Sequence, residues 1–319
     1  MGSKDSSLIL HIIKEVFSES VINCFAIEGL GIVNRTYCVR TVSCSYILRM
    51  NEGNDSYCEY QKEYWCMYSA KKARLSSSLP LAIGCYEGTA YLLESLMPGT
   101  NGSLLPQEAT HIWFELGRMA KIIEQFPAEG FGLDFASDPN NETGIFYNSF
   151  SPTFESHIQY NLDSLTADDR LIALGVYTPG QRDAIHIAFL SLLEGYKSNR
   201  LHLGLLHGDL SPRNVLIEPD HSIHLIDWGC ALIHFAPHYG FSAMYKEMLQ
   251  KEGIIEADVR AFYLGYGLNT QTFLEMESDI KKILLLDSFD KLRWAIDQKQ
   301  DEIASYADWA KFVVVWTGI

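Results

Sequence analysis

The chain has 319 residues, 47% of them hydrophobic and 20% charged, a composition that favours a globular protein with a substantial core and excludes a disordered one. Asp and Glu outnumber Lys and Arg by 40 to 25, and the resulting net charge of −15 argues against nucleic acid as a partner, because phosphate backbones are bound by clustered cations. The same charge suits a cationic small molecule.

Two further features of the sequence predict the compartment. No apolar run reaches the roughly 20 residues that a membrane-spanning helix needs, and no secretory signal is recognised, so we expect no membrane partner. The seven cysteines are odd in number and form no Cys-x-x-Cys pair, which favours free thiols in a reducing compartment. The sequence therefore predicts a cytoplasmic protein.

The sequence of the first part of the chain predicts a helix followed by strands. Apolar spacing indicates a helix over Ser6–Ser18. Strands are predicted, in order, over Phe25–Ile27, Arg35–Arg40 and Ser45–Arg49. Gly29 and Gly31 lie between the first two strands, where glycines let backbone N–H groups approach phosphate oxygens closely. An ordinary hairpin turn has the same pattern, and that alternative stays open.

A helix and two more strands complete this first region. The helix is predicted over Asp55–Ala73, with Glu59 and Glu63 four residues apart on one face. Either carboxylate can pair with Arg49, and Glu63 is favoured because it lies deeper in an aromatic run. Strands follow over Leu81–Gly84 and Thr89–Leu93.

The stretch Glu94–Gly99 contains Pro and Gly and breaks the strand pattern, so we interpret it as a hinge between lobes. This interpretation predicts an α+β protein with an N-terminal lobe over residues 1–97 and a C-terminal lobe over residues 98–319. A long loop is predicted over Pro127–Pro152. Helices are predicted from Pro106 onward, apart from a strand-loop-strand segment. Everything after Gly229 is expected to be helical, with one helix over Gln271–Ser288 and the next over Phe289–Phe312.

That strand-loop-strand segment covers residues 205–229 and carries the strongest motif in the chain. Two apolar runs flank the polar loop His207-Gly208-Asp209-Leu210-Ser211-Pro212-Arg213-Asn214, and a third run ends on Asp227-Trp228-Gly229. Asn214 follows Asp209 by five positions, as in the kinase pattern of a catalytic-loop Asp, an Asn and a later Asp-x-Gly triplet. The alternative is an ordinary polar turn with a strand cap at Asp227.

Phosphoryl transfer is the chemistry that uses this set of side chains. Asp209 is the candidate catalytic base, which takes the proton of an attacking hydroxyl. Asn214 and Asp227 supply the amide and carboxylate oxygens that hold Mg²⁺ against phosphate. His207 is interpreted as structural, bonded to backbone near Asp227, because an Asp already fills the role of base.

The His-Gly-Asp loop with Ile226-Asp227-Trp228-Gly229 resembles the aminoglycoside phosphotransferase and choline kinase-like family, whose fold is that of the bilobal protein kinases. The resemblance covers about residues 20 to 270, and its specific motifs are confined to residues 205–229. The order of elements and the stretch Tyr60–Trp65 are also similar to the hygromycin-type members. Eukaryotic protein kinases differ, because they carry His-Arg-Asp and an Ala-Pro-Glu triplet that is absent after Asp227.

The resemblance implies a nucleotide site, with ATP or GTP and Mg²⁺ as cofactors. Arg49 takes the place of the usual strand Lys and holds phosphate oxygens, and Glu63 is its expected partner. The remaining nucleotide contacts implied are Gly29, Gly31, Ser95, Met97 and Ser211.

The resemblance also implies the reaction, O-phosphorylation of a small hydroxylated molecule, with aminoglycoside antibiotics as the first candidates. A metabolic kinase for choline, an amino alcohol or a sugar is the alternative, and a nucleotide-binding pseudokinase is a third reading. Acidic side chains considered for the acceptor are Glu256, Asp258, Glu275 and Asp279, against the default of solvated helix surface.

Overall fold

The computed structural model describes residues 3–27, 35–53, 55–136 and 142–319. The chain forms two compact units and passes through each more than once. The first unit comprises Met1–Ile112, Asp134–Ile145 and His207–Ala231, and the second comprises Trp113–Leu133, Phe146–Leu206 and Leu232–Ile319. Among the described residues, no helix is both long enough and apolar enough to cross a membrane.

The strands of the described chain are short. They are β1 Asn23–Ala26, β2 Arg35–Arg40, β3 Ser45–Glu52, β4 Pro80–Tyr86, β5 Thr89–Ser95, β6 Thr100–Asn101, β7 Ala128–Gly130, β8 Asp134–Ala136, β9 Gly144–Tyr147, β10 Leu203–Leu206, β11 Val215–Ile217, β12 Ile223–Leu225 and β13 Leu232–Phe235.

The helices dominate the later part of the chain. They are α1 Ser3–Phe17, α2 Ser56–Lys72, α3 Ala109–Ile123, α4 Phe154–Asp163, α5 Arg170–Ala173, α6 Arg182–Lys197, α7 His238–Leu249, α8 Glu256–Tyr266, α9 Thr270–Gln298 and α10 Ile303–Thr317. The predicted α+β class is confirmed.

The first unit is built on an antiparallel sheet with the strand order β1-β2-β3-β5-β4. Helix α1 buries Ile9, Ile12 and Ile13 in one cluster with Val39 and Leu48 of the sheet. This packing follows from the apolar stripe of α1 and the alternation of inward-facing residues along β2 and β3. The helix and strands predicted for this region are all present, with ends shifted by a few residues.

A second sheet of the first unit carries the loop motif. Strand β11 pairs antiparallel with β12 on one side and with β6 on the other. Val215 lies opposite Leu225, so the ends of β11 and β12 that adjoin the motif lie side by side. The paired strands therefore present the residues just before β11 and just after β12 at the same edge of this sheet.

Three predictions about the remaining chain are wrong in detail. The segment after Gly229 is not wholly helical, because β13 pairs antiparallel with β10. The expected loop over Pro127–Pro152 contains β7, β8 and β9. The helix break expected between Ser288 and Phe289 is absent, because α9 continues through both residues and buries both side chains. Neither Gly nor Pro interrupts α9.

Candidate active site

The loop before β11 is closed by its own amide side chain. Asn214 Nδ2 donates to the backbone carbonyl of Asp209 at 2.8 Å, and the Asn214 backbone N–H donates to the Ser211 carbonyl at 3.0 Å. The Asp209 carboxylate accepts from Arg213 at 2.6 Å and keeps 24% of its side chain exposed. The loop thus fixes Asp209 while leaving its carboxylate accessible to another molecule.

The two predicted metal ligands lie at the adjoining ends of β11 and β12. The Ile226 backbone N–H donates to the Asn214 carbonyl at 3.0 Å, which places Asp227 one residue beyond this pairing. The Asp227 side chain is 49% exposed. Because Asn214 Nδ2 is engaged with the loop, the amide oxygen is the atom left for a ligand. A carboxylate and an amide oxygen are the hard donors that Mg²⁺ prefers, so the residues present fit this ion.

Arg49 extends from β3 towards the same residues. It forms an ion pair with Glu63 of α2, as predicted, and its second terminal nitrogen lies 3.7 Å from Asp227 Oδ1. Burial lowers the pKa of Arg49, but the carboxylates around it outweigh that effect and hold the pKa above its ordinary value. The Arg49 guanidinium therefore stays charged. Glu59, the alternative partner, is exposed.

A second buried carboxylate, that of Glu94, acts on Arg49 and is not predicted from the sequence. In the β3–β5 register, Arg49 lies opposite Leu92 and Ile47 lies opposite Glu94, so the Arg49 and Glu94 side chains share one face of the sheet. Glu94 is 8% exposed, and burial raises its pKa. The available signal was a lone carboxylate directly after the apolar run Tyr91–Leu93.

Glu63 is held in an unusual electrostatic environment. Burial raises its pKa to about 7, and the neighbouring carboxylates of Asp227 and Glu94 add to this shift while Arg49 opposes it. The ion pair with Arg49 thus forms in full only when the pH is above this value. The Arg49–Glu63 pair is therefore sensitive to pH in the neutral range.

Two side chains of the loop, those of Ser211 and His207, are buried. Ser211 is 4% exposed, and its hydroxyl makes no hydrogen bond to any part of the chain that the structure describes. Such an orphaned hydroxyl can be satisfied by an acceptor such as a phosphate oxygen. His207 is buried against the Trp228 ring, with the ring centroids 4.8 Å apart. Burial lowers the His207 pKa to about 4, so the ring is neutral. Neither ring nitrogen makes a hydrogen bond within the described residues, so the bond to backbone near Asp227 that was predicted for His207 is not observed.

The other predicted nucleotide contacts are only partly described. Gly29 and Gly31 lie outside the described residues. The Ser95 hydroxyl accepts from the Leu79 backbone N–H at 2.9 Å and contacts the Met97 sulfur at 3.5 Å. These contacts fix the end of β5 but do not test nucleotide binding, so the roles of Ser95 and Met97 stay predictions.

Two of the acidic residues considered for the acceptor have structural partners in the second unit. Asp258 caps α8, because its carboxylate accepts from the Ile255 backbone N–H at 3.0 Å. Asp279 is buried and pairs with Arg200 and Lys282. Both carboxylates are therefore engaged within the fold.

The loop carboxylate of Asp209, the oxygen donors of Asn214 and Asp227 at one sheet edge, and the Arg49–Glu63 pair form the arrangement expected of a kinase-like phosphotransferase. Comparison with known proteins identifies the family. A family model described as the phosphotransferase enzyme family (APH) matches residues 29–238, and the chain belongs to this family. It is therefore a phosphotransferase enzyme. No curated protein was found to match the chain.

Solved structures share the fold at low sequence identity. The aminoglycoside phosphotransferase APH(4)-Ia is 15% identical, with 99% of each chain covered and a TM-score of 0.64. The spectinomycin phosphotransferase APH(9)-Ia, in complex with ADP and spectinomycin, is 15% identical, with 98% of each chain covered and a TM-score of 0.53. A putative fructosamine-3-kinase from Haemophilus somnus 129PT is 15% identical, covering 97% of this chain and 96% of that one, with a TM-score of 0.58.

Proposed function

We propose that this phosphotransferase moves the γ-phosphoryl group of ATP or GTP to a hydroxyl of a small molecule, with aminoglycoside-type antibiotics as the first candidate acceptors. The observation that carries the proposal is the edge of the β11–β12 pair, where Asn214 and Asp227 adjoin the loop that holds Asp209. Arg49 lies 3.7 Å from this same Asp227 carboxylate.

In the proposed reaction, the acceptor oxygen forms a bond to the γ-phosphorus, and the bond between that phosphorus and the bridging oxygen breaks. The nucleoside diphosphate leaves with the bridging electron pair. Asp209 takes the proton of the attacking hydroxyl, and Arg213, bonded to Asp209 at 2.6 Å, holds this carboxylate in place. Mg²⁺, when bound by Asn214 and Asp227, neutralises the charge of the phosphates.

The nucleotide contacts of the proposal come from several segments. Arg49, kept charged by its carboxylate neighbours, binds phosphate oxygens through its planar fork. The orphaned Ser211 hydroxyl donates to a phosphate oxygen. Gly29 and Gly31 supply backbone N–H groups, and the chain at Ser95 and Met97 bonds the purine ring.

Two observations support a cationic acceptor. The net charge of −15 attracts polyamines and repels anionic acceptors. Proteins of the same fold include an aminoglycoside phosphotransferase solved with AMP-PNP and hygromycin B. Aminoglycosides combine several ammonium groups with several hydroxyls, so they match both the charge and the proposed chemistry.

A metabolic kinase acting on a sugar or amino alcohol is the second candidate. The similarity to a putative fructosamine-3-kinase, with a TM-score of 0.58, supports this alternative. It shares the catalytic steps of the first proposal and differs only in the acceptor.

The test is release of nucleoside diphosphate by the purified chain with Mg²⁺, ATP or GTP, and a panel of acceptors. The panel contains kanamycin-type and hygromycin-type aminoglycosides, spectinomycin, choline and glycated amines. We expect acceptor-dependent release with an aminoglycoside, lost in Asp209→Asn. Turnover only with choline or a glycated amine would establish the second candidate instead. Nucleotide binding without turnover for any acceptor would contradict both and support a pseudokinase.

A further inference from the structure

A segment of three consecutive serines, Ser76 to Ser78, connects α2 to β4 and runs beside the strand that leads to Asp227. Ser77 forms an isolated parallel bridge with Leu225, and the Leu225 backbone N–H donates to the Ser76 carbonyl at 2.9 Å. The Ser76 hydroxyl lies 2.7 Å from His224 Nδ1. The serine segment therefore contacts β12 through both backbone and side chains.

The serine segment also holds the residue that follows Asp227. The Trp228 side chain is fully buried, and its indole N–H donates to the Ser77 hydroxyl at 3.0 Å. A buried indole N–H is normally hydrogen-bonded, and the bond to Ser77 directs this N–H towards the serine segment. The indole also contacts the His207 ring, with the ring centroids 4.8 Å apart. Ser77 and Trp228 are 151 positions apart in the chain, and their hydrogen bond fixes the orientation of the Trp228 side chain.

Asp227 itself has a backbone conformation that needs support from its neighbours. Its φ of 64° is in the left-handed region, which non-glycine residues adopt at a cost and keep only where the surroundings determine it. On one side, the Ile226 N–H donates to the Asn214 carbonyl. On the other side, the buried Trp228 is bonded to Ser77. Asp227 is therefore held between two anchored residues.

We propose that Ser77 is a positioning residue of the metal site: through the indole of Trp228 it holds Asp227 in its left-handed conformation at the strand edge that Asn214 shares. Loss of the Ser77–Trp228 hydrogen bond lets Asp227 relax towards ordinary backbone conformations, and the affinity for the divalent ion falls. This inference rests on the proposed function, because it assumes that Asp227 binds the ion.

The experiment measures Mn²⁺ binding by electron paramagnetic resonance in the presence of AMP-PNP, and AMP-PNP binding without metal. Ser77→Ala removes the acceptor and Trp228→Phe removes the donor. We expect each variant to raise the Mn²⁺ Kd about tenfold, and the double variant to raise it no further, because both changes break one interaction. The affinity for metal-free AMP-PNP is expected to stay unchanged.

Trp65→Phe is the matched control, because its indole N–H donates at 3.1 Å to the Glu142 carbonyl, away from the motif. We expect this variant to bind Mn²⁺ as the wild type does. Equal Mn²⁺ affinity in Ser77→Ala and the wild type would overturn the proposal, as would additive losses in the double variant or an equal loss of metal-free AMP-PNP affinity. Absence of Mn²⁺·AMP-PNP binding by the wild type would instead overturn the proposed function.

A second experiment uses only the wild-type protein, so it does not depend on whether Ser77→Ala folds. Because coupling between two sites is reciprocal, Mn²⁺ with AMP-PNP is expected to slow hydrogen exchange of the Trp228 indole proton. The same ligands are expected to leave the Trp65 indole proton unaffected. An unchanged exchange rate at Trp228 in protein that binds Mn²⁺·AMP-PNP would overturn the proposal.

Discussion

The two units each contain a buried arginine–carboxylate pair, and the two pairs have different surroundings. In the second unit, Arg293 and Asp169 lie 2.6 Å apart with both side chains 4% exposed. In the first unit, Arg49 pairs with Glu63, and the side chains are 12% and 3% exposed. Burial alone therefore does not distinguish the Arg293–Asp169 pair from the pair that is proposed to serve the nucleotide site.

The difference lies in how the carboxylates are satisfied. Asp169 also accepts from the Tyr177 hydroxyl at 2.8 Å and from the Leu171 backbone N–H at 3.0 Å. Arg49 instead faces Glu94 and the half-exposed Asp227 in addition to Glu63. The Asp169 pair is closed within the fold, whereas the Arg49 site has an excess of negative charge beside an accessible edge. Such an excess suits cations that enter with a nucleotide.

The largest expected effect is on chemistry at the loop of the first unit. Asp209→Asn removes the proton acceptor, and we expect kcat to fall by about 10³, within the usual range for a general base. The measurement is diphosphate release with the best acceptor. Asp220→Asn is the control, because Asp220 is an exposed turn carboxylate bonded to the Ser222 N–H. A loss below tenfold in Asp209→Asn would contradict the assigned role.

The closed pair of the second unit is expected to affect stability and not catalysis. Arg293→Met leaves Asp169 without its cation, and we expect the free energy of unfolding to fall by about 3 kcal/mol. Urea denaturation measures this loss. The control is Arg170→Met, since the Arg170–Asp297 pair is exposed and its loss should cost about 0.5 kcal/mol or less. Equal losses of unfolding free energy in Arg293→Met and Arg170→Met would contradict the expected difference between the buried and the exposed ion pair.

The arginine of the first unit is expected to affect nucleotide binding. Arg49→Lys keeps the charge but loses the planar fork, so we expect KM for ATP to rise about tenfold. Steady-state kinetics at saturating acceptor measure the change. Arg118→Lys, at an exposed position of α3, is expected to leave KM unaltered. If both variants behave like the wild type, Arg49 does not bind phosphate.

The smallest expected effect is a pH dependence of catalysis that arises from Glu63, the partner of Arg49. The pKa of Glu63 is raised to about 7, so lowering the pH through this value protonates the carboxylate and weakens its hold on Arg49. We expect kcat/KM for ATP to fall about twofold between pH 8.5 and pH 7. Glu63→Gln is expected to remove this step, and Glu59→Gln to keep it. If the fall in kcat/KM persists in Glu63→Gln, a group other than Glu63 causes it.

The same raised pKa has a consequence for stability. The folded Glu63 binds its proton more tightly than the unfolded chain does, so its contribution to stability is fully present below the unfolded pKa. That contribution is lost as the pH rises through about 7. Catalysis and stability therefore respond to the Glu63 proton in opposite directions.

The sequence was informative where the relevant contacts are local or follow from periodicity. The spacing of Asp209 and Asn214 within one loop predicted their association, and Asn214 does bond the Asp209 carbonyl. Helical spacing limited the partners of Arg49 to two carboxylates, and the aromatic run favoured Glu63, which forms the pair.

The features that escaped prediction depend on contacts between distant parts of the chain. Glu94 lies beside Arg49 because of the β3–β5 register. The alternation of inward- and outward-facing residues along each strand does not determine how the two strands align. The Ser77–Trp228 bond joins residues 151 positions apart. Strand β13 was missed because its four residues are too few for periodicity to separate a strand from a helix.

A crystal structure with Mn²⁺ and AMP-PNP, with the ion located by anomalous scattering, would show whether Asn214 and Asp227 bind the divalent ion. We expect an anomalous peak about 2.0–2.2 Å from the Asn214 amide oxygen and from an Asp227 carboxylate oxygen. We also expect the γ-phosphate to lie beside Asp209. A peak away from both ligands, or a nucleotide whose phosphates avoid Arg49 and this edge, would contradict the proposed function.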